Sequence, residues 1–194
     1  MKRIATALAG VCVLEPRVFG DHRGWFLESF NERAFAALGI TCPFVQDNHS
    51  RSGRGVVRGL HYQLARPQDK LVRVVSGEVY DVTVDVRVGS PTFGRWCAVT
   101  LSAENRRMVF VPKGFAHGFA VVSESAECIY KCSDFYAPEE ERGVIWNDPQ
   151  LAIPWPLDGG TPTLSAKDAG YGTLATRPRA ELPRFPGAPA EAPR

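Results

Sequence analysis

The feature that most constrains the fold is a period-two alternation. Val82, Val84, Val86 and Val88 interleave with Asp81, Thr83, Asp85 and Arg87, and residues two apart share a face only in an extended strand. A helix would scatter the same valines around its circumference. Ser76-Gly77-Glu78 is a turn signal just before this run, and residues 70–75 lie on its other side, so the two segments are expected to pair as a hairpin. Further apolar strands are expected at 96–101, 106–111, 117–122 and 126–134. Turns separate them at Ala103-Glu104-Asn105, Pro112-Lys113-Gly114 and Ser123-Glu124-Ser125. Short strands at this spacing predict a mainly β chain built as an antiparallel sandwich or barrel. One helix is expected, over 30–38, because Ser29 and Glu32 form a capping box and Gly39 stands where a helix would end.

A chain of 194 residues with 44% hydrophobic and 23% charged residues can bury the core of one domain without covalent staples. That domain is expected over 1–175. Beyond it, 176–194 carries Pro178, Pro183, Pro186, Pro189 and Pro193 with few large apolar groups, and is expected to be disordered or to lie extended on the body. The net charge of +2 provides no field for nucleic acid. The five cysteines, at 12, 42, 97, 128 and 132, include no C-x-x-C pair, which fits the reduced thiols of a cytoplasmic protein. Met1-Lys2-Arg3 followed by an apolar run has the look of a secretion signal with Ala7-Leu8-Ala9 as its cleavage site. Cleavage there would leave an apolar region shorter than the ~7–15 residues such a signal needs. The run also continues to Leu14, so it is read as the first strand, with secretion the lesser alternative. No apolar run is long enough to span a bilayer.

Chemistry concentrates in 46–63. Gln46-Asp47-Asn48-His49-Ser50-Arg51 runs through Gly53, Gly55 and Gly59 to Arg58-Gly59-Leu60-His61-Tyr62-Gln63. A cation, amides and an imidazole on one surface are suited to an anionic ligand beside a proton-transfer group. A lone histidine is more often packed than catalytic, but Arg58 and Gln63 flank His61, and Lys70 is expected to begin the next strand of the same sheet. In the segment 126–132, alternation puts Cys128, Tyr130 and Cys132 on the inward face. There Tyr130 either packs or donates a proton. Ser165-Ala166-Lys167-Asp168 is by default a surface turn; folded against His61, Asp168 would fix its tautomer and support the imidazolium. The chain has four histidines, and Leu60-His61-Tyr62-Gln63 lacks the close histidine pair with which barrels of this kind hold a metal, so no metal is expected.

Taken in order, several segments make a specific set: 21–28 (Asp-His-Arg-Gly-Trp-Phe-Leu-Glu), 46–63, 70–74, 112–119, Tyr130-Lys131, 134–143, Trp146-Asn147-Asp148-Pro149 and 165–168. Over roughly residues 10–168 the chain resembles the dTDP-4-dehydrorhamnose 3,5-epimerases, metal-free cupin (jelly-roll) enzymes of deoxysugar nucleotide synthesis. The resemblance implies a jelly-roll barrel with a few short helices. It also implies conversion of dTDP-4-dehydro-6-deoxy-D-glucose to dTDP-4-dehydro-L-rhamnose without a cofactor. His61 resembles the family's base, Asp168 its partner, Tyr130 the acid on the opposite face, and Lys70 the cation beside the enolate oxygen. Arg23 and Arg58 resemble the diphosphate ligands, and Phe26, Glu28, Gln46 and Asn48 the nucleotide contacts. His117, Tyr136, Glu141 and Lys167 match further substrate positions. A homodimer with site residues shared across subunits is implied. Other readings are a C3-only epimerase of an antibiotic sugar pathway, a silent sugar-nucleotide-binding barrel and, disfavoured by the missing histidine pair, a metal-dependent oxygenase.

Overall fold

The computed structural model describes residues 1–187. Its strands in chain order are β1 (Lys2–Ala5), β2 (Cys12–Glu15), β3 (Val18–Asp21), β4 (Gly24–Leu27), β5 (Gln46–Gly53), β6 (Val57–Gln63) and β7 (Lys70–Ser76). They continue with β8 (Glu78–Asp85), β9 (Trp96–Ser102), β10 (Met108–Val111), β11 (Phe115–Val121), β12 (Ser125–Cys132) and β13 (Glu141–Gly143). Two short helices, α1 (Glu32–Ala37) and α2 (Ala166–Ala169), complete the regular structure apart from three single 3₁₀ turns. One sheet has six strands in the order β1-β2-β10-β7-β12-β5, and the other has five, β13-β6-β11-β8-β9. All their pairings are antiparallel, and the two sheets face each other as a cupin-like jelly roll. The expected fold class holds.

Between the sheets Val72, Val74, Val109, Val111 and Cys128 from one side meet Val79, Leu101, Phe115 and Phe119 from the other. Each buried aliphatic side chain of this kind contributes ~1.5–3 kcal/mol before the entropy of ordering is set against it. The valine alternation that marked β8 is real, but both of its faces are buried. Val82, Val84 and Val86 point away from the barrel and are covered by Leu151, Ile153, Leu174 and Leu182. Asp81, Thr83 and Asp85, 1%, 1% and 0% exposed, occupy the opposite face. Buried polar groups persist only when bonded: Asp81 takes His117, while Asp85 accepts from Arg87, Ser90 and Thr92.

Five sequence expectations are corrected. β7 and β8 do not form a hairpin: β7 pairs with β10 and β12, and β8 with β11 and β9. At Gly77, with φ of 72°, the chain crosses from one sheet to the other, which lets Val72 and Val74 face Val79 across a shared core. Consequently His61 on β6 and Lys70 on β7 belong to different sheets, not to one. The N-terminal apolar run is two strands, not one, because Leu8 and Val11 turn inward and β1 folds back on β2. The helix is Glu32–Ala37, capped by Asn31 and not by a Ser29–Glu32 box. The Asn31 side chain accepts from Ala34 N at 3.1 Å, and Phe30 instead packs edge-on against Phe44 outside the helix. Strand 106–111 begins only at Met108, since Arg106 adopts φ of 54° in the preceding turn.

Residues 174–185 lie along the outer face of the five-stranded sheet. Tyr62 Oη donates to Glu181 O at 2.9 Å, and Val88 exchanges backbone hydrogen bonds with Pro183 and Phe185. The remainder of the proline-rich segment, 188–194, lies outside the described residues.

Candidate active site

A cavity of about 900 Å³ opens between the two sheets. One wall comes from β6 and β11, the other from β5, β7 and β12, and the segment 163–168 closes a side. Gly59 and Gly118 let β6 and β11 approach closely. A Cβ on Gly59 would meet the Gly118 Cα at 2.6 Å, and Gly59 has φ of 112°, a conformation open to glycine at little cost. The ladder between these strands sets His61 opposite His117.

His61 Nε2 lies 2.6 Å from Asp168 Oδ1. Asp168 is 3% exposed and sits in α2, where the side chain of Ser165 caps its own N–H. Burial alone would raise the Asp168 carboxyl; the hydrogen bond and charge of His61, the Gly59 N–H and Ser165 outweigh it and hold the group below its ordinary range. An ionised Asp168 accepts only, so Nε2 carries the proton and Nδ1 keeps the lone pair. Glu141, on β13 beside β6, places Oε1 4.0 Å from the same Nε2 and pairs with Lys167. Burial pushes Glu141 up, but Lys167, His61 and Tyr136 bring it net below the ordinary carboxylate range.

Tyr130 and Lys70 look in from the six-stranded sheet. Burial raises the Tyr130 phenol above its ordinary value, with a smaller push from Cys132, so the group holds its proton in the range where an acid must deliver it. Desolvation lowers the Lys70 ammonium, against the pull of Cys132, Glu141 and Asp81. The base candidate and the acid candidate thus stand on opposite walls. Towards the rim, Arg58 Nε donates to Ser52 Oγ at 3.0 Å, Gln46 Nε2 donates to Asn48 Oδ1, and Gln46 Oε1 accepts from Tyr136 N at 2.9 Å.

His61, Lys70, Arg58, Gln46, Asn48, His117, Tyr130, Tyr136, Glu141, Lys167 and Asp168 all line this one cavity. Arg23, Phe26 and Glu28 do not. They lie on or just after the separate β3–β4 hairpin, where Arg23 pairs with Asp21 at 2.6 Å and Glu28 accepts from Asn31. Sequence reasoning missed Asp81, whose bond of 2.8 Å to His117 makes a second imidazole–carboxylate pair; its place in an alternating strand read as a plain polar face. Among the described residues no group of three or more His, Cys, Asp or Glu side chains could hold a metal ion, and no helix is long and apolar enough to cross a membrane.

An imidazole–carboxylate pair facing a phenol across one cavity can take a proton from one face of a ligand and return it to the other, which is the chemistry of an isomerase. Residues 5–176 match the family model described as dTDP-4-dehydrorhamnose 3,5-epimerase, and the chain belongs to that family. It is 60% identical over 169 residues to the dTDP-4-dehydrorhamnose 3,5-epimerase of Pseudomonas aeruginosa, covering 87% of this chain and 93% of that protein. The crystal structure of dTDP-6-deoxy-D-glucose-3,5-epimerase RmlC from Legionella pneumophila, in complex with dTDP-4-keto-L-rhamnose, superposes with a TM-score of 0.92 at 52% identity, over 95% of this chain and 98% of that one. ChmJ, a 3'-monoepimerase from Streptomyces bikiniensis in complex with dTDP-quinovose, follows with a TM-score of 0.87 at 41% identity, over 92% and 91% of the two chains.

Proposed function

We propose that this chain epimerises dTDP-4-dehydro-6-deoxy-D-glucose at C3 and C5 to give dTDP-4-dehydro-L-rhamnose. The observation that carries the reading is the opposition of His61 and Tyr130 across one cavity. A ketone at C4 acidifies the protons on both neighbouring carbons. His61 Nδ1 removes one, Asp168 stabilises the resulting imidazolium, and the enolate oxygen meets the positive charge of Lys70. Tyr130 then delivers a proton from the other face, which inverts the centre. Two opposed proton-transfer groups suffice, and the scheme uses no cofactor. Arg58 binds diphosphate by its guanidinium fork. The amides of Gln46 and Asn48 take the nucleotide end, and His117, oriented by Asp81, joins Tyr136, Glu141 and Lys167 around the sugar.

The test is incubation in deuterated water with that substrate, followed by NMR. Label at both C3 and C5 with L-configured product is the expected result. Label and inversion at C3 alone would place the enzyme with ChmJ-like monoepimerases, which share the fold at 41% identity. No label at either carbon overturns the proposal.

The exposed β3–β4 hairpin completes the site of a second copy in a homodimer. Phe19, Trp25 and Phe26 are 50%, 58% and 68% exposed, more apolar surface than an isolated two-stranded ribbon carries without a partner. Arg23, Phe26 and Glu28 ride on this element, away from their own cavity. By sedimentation the chain is expected to be a dimer, and Phe26→Asp is expected to weaken both dimerisation and binding of dTDP. A monomeric parent chain would sink this arrangement. Five free cysteines, at 12, 42, 97, 128 and 132, support a cytoplasmic location.

A further inference from the structure

Tyr171 does not line the cavity, yet it touches what orients the base. Its ring stands edge-on to the His61 imidazole, with centroids 5.8 Å apart and planes at 67°. Its hydroxyl donates to Glu141 Oε1 at 3.1 Å, the same oxygen that lies 4.0 Å from His61 Nε2. His61 Nε2 therefore has two carboxylates within reach, Asp168 bonded and Glu141 held off by Lys167, Tyr136 and Tyr171. A Glu141 free to rotate would compete with Asp168 for the Nε2 proton.

The seat of Tyr171 is built from both sides. Its ring lies where a Cβ on Gly143 would be, so residue 143 must be glycine for it to fit. From the other side Arg177 faces the ring at 5.9 Å, donates to Gly143 O at 2.6 Å and pairs with Glu181 at 3.0 Å. Leu174 and Leu182 anchor this C-terminal arm in the core layer behind β6. The arm is thus tied to the barrel on both sides of Tyr171's contact with the base.

We propose that Tyr171 is a positioning residue: it restrains Glu141 and buttresses the imidazole, so that His61 keeps its Nε2 proton on Asp168 and its lone pair on Nδ1. Its catalytic consequence rests on the epimerase reading above. The test compares Tyr171→Phe, which keeps the ring and loses the hydroxyl, with Tyr171→Leu, which loses both, in the full chain. Two readouts are taken: steady-state kcat and KM, and the ¹⁵N and N–H NMR signature of the two His61 nitrogens, which reports the hydrogen bond made by Nε2–H. Tyr171→Phe is expected to lower kcat roughly tenfold with KM changed less than ~twofold, as a misoriented base does, and Tyr171→Leu to lower it further. In both variants the Nε2–H resonance is expected to shift or broaden as that proton is shared between Asp168 and Glu141, while Nδ1 keeps its lone pair. Variants that lose only thermal stability, keeping kcat and the parental nitrogen pattern, overturn the assignment. If the parent chain incorporates no deuterium, the epimerase reading falls by itself, and the nitrogen spectra still decide whether Tyr171 orients His61.

Discussion

In His61→Ala, deuterium incorporation at C3 and at C5 is expected to fall together, by roughly 10⁴-fold, the upper range for loss of a positioned general base. The joint loss follows from geometry. One imidazole, fixed by one carboxylate at 2.6 Å, serves both carbons flanking the ketone, and among the described residues the other imidazole lining the cavity, His117, is bound to Asp81 at 2.8 Å. His117 cannot take over without giving up a buried partner, since an unpaired buried carboxylate is costly. Binding of dTDP should be nearly unchanged, because Arg58 and the amides of Gln46 and Asn48 remain in the cavity. Full activity in His61→Ala would sink the mechanism; loss at one carbon only would mean that two bases share the work. NMR of the labelled product separates these outcomes, and a titration with dTDP shows whether the site is intact.

The second large effect belongs to Tyr130. Tyr130→Phe removes one oxygen and keeps the ring that packs against the core between the sheets, so folding should be little affected. Proton removal by His61 is expected to continue, and some solvent exchange with it. Inversion at C5 is expected to fall by about 10²–10³-fold, because the acid on the opposite wall is gone. The diagnostic is the ratio of label to inversion at each carbon in the same NMR experiment. Inversion at C5 at the parental rate would exclude Tyr130 as the acid and turn attention to other donors on the six-stranded wall, Lys70 among them.

These predictions depend on distances between segments far apart in sequence, which marks how far reading residues could go. The alternation over β8 announced a strand, and the turn signals divided most of the others within a residue or two, because local backbone geometry and side-chain periodicity are properties of neighbours. The cap of α1 was misplaced by two residues since Ser29 and Asn31 are both competent caps, and only the packing of Phe30 on Phe44 chooses between them. The β7–β8 pair was misread for a related reason. A glycine turn can close a hairpin or carry a chain from one sheet to the next, and the choice lies with the core that Val72, Val74 and Val79 share, not with the turn.

The sequence by itself determined a mainly β chain with short, polar turns and the set of residue types for proton transfer and anion binding, through resemblance in the case of their individual roles. Tertiary structure alone decided which face of β8 is interior: Val82, Val84 and Val86 turn toward the C-terminal layer, and Val79 and Asp81 turn inward, where Asp81 bonds the His117 that lines the cavity. It also decided that His61 and Asp168, 107 residues apart, meet at hydrogen-bond distance, and that Tyr130 faces them from the other sheet. Arg23, Phe26 and Glu28 share motif status with the rest, yet the fold of one chain leaves them outside its own cavity. Periodicity fixes which side of a strand a residue takes, but convergence at a site is a long-range property that only the packing of two sheets can supply.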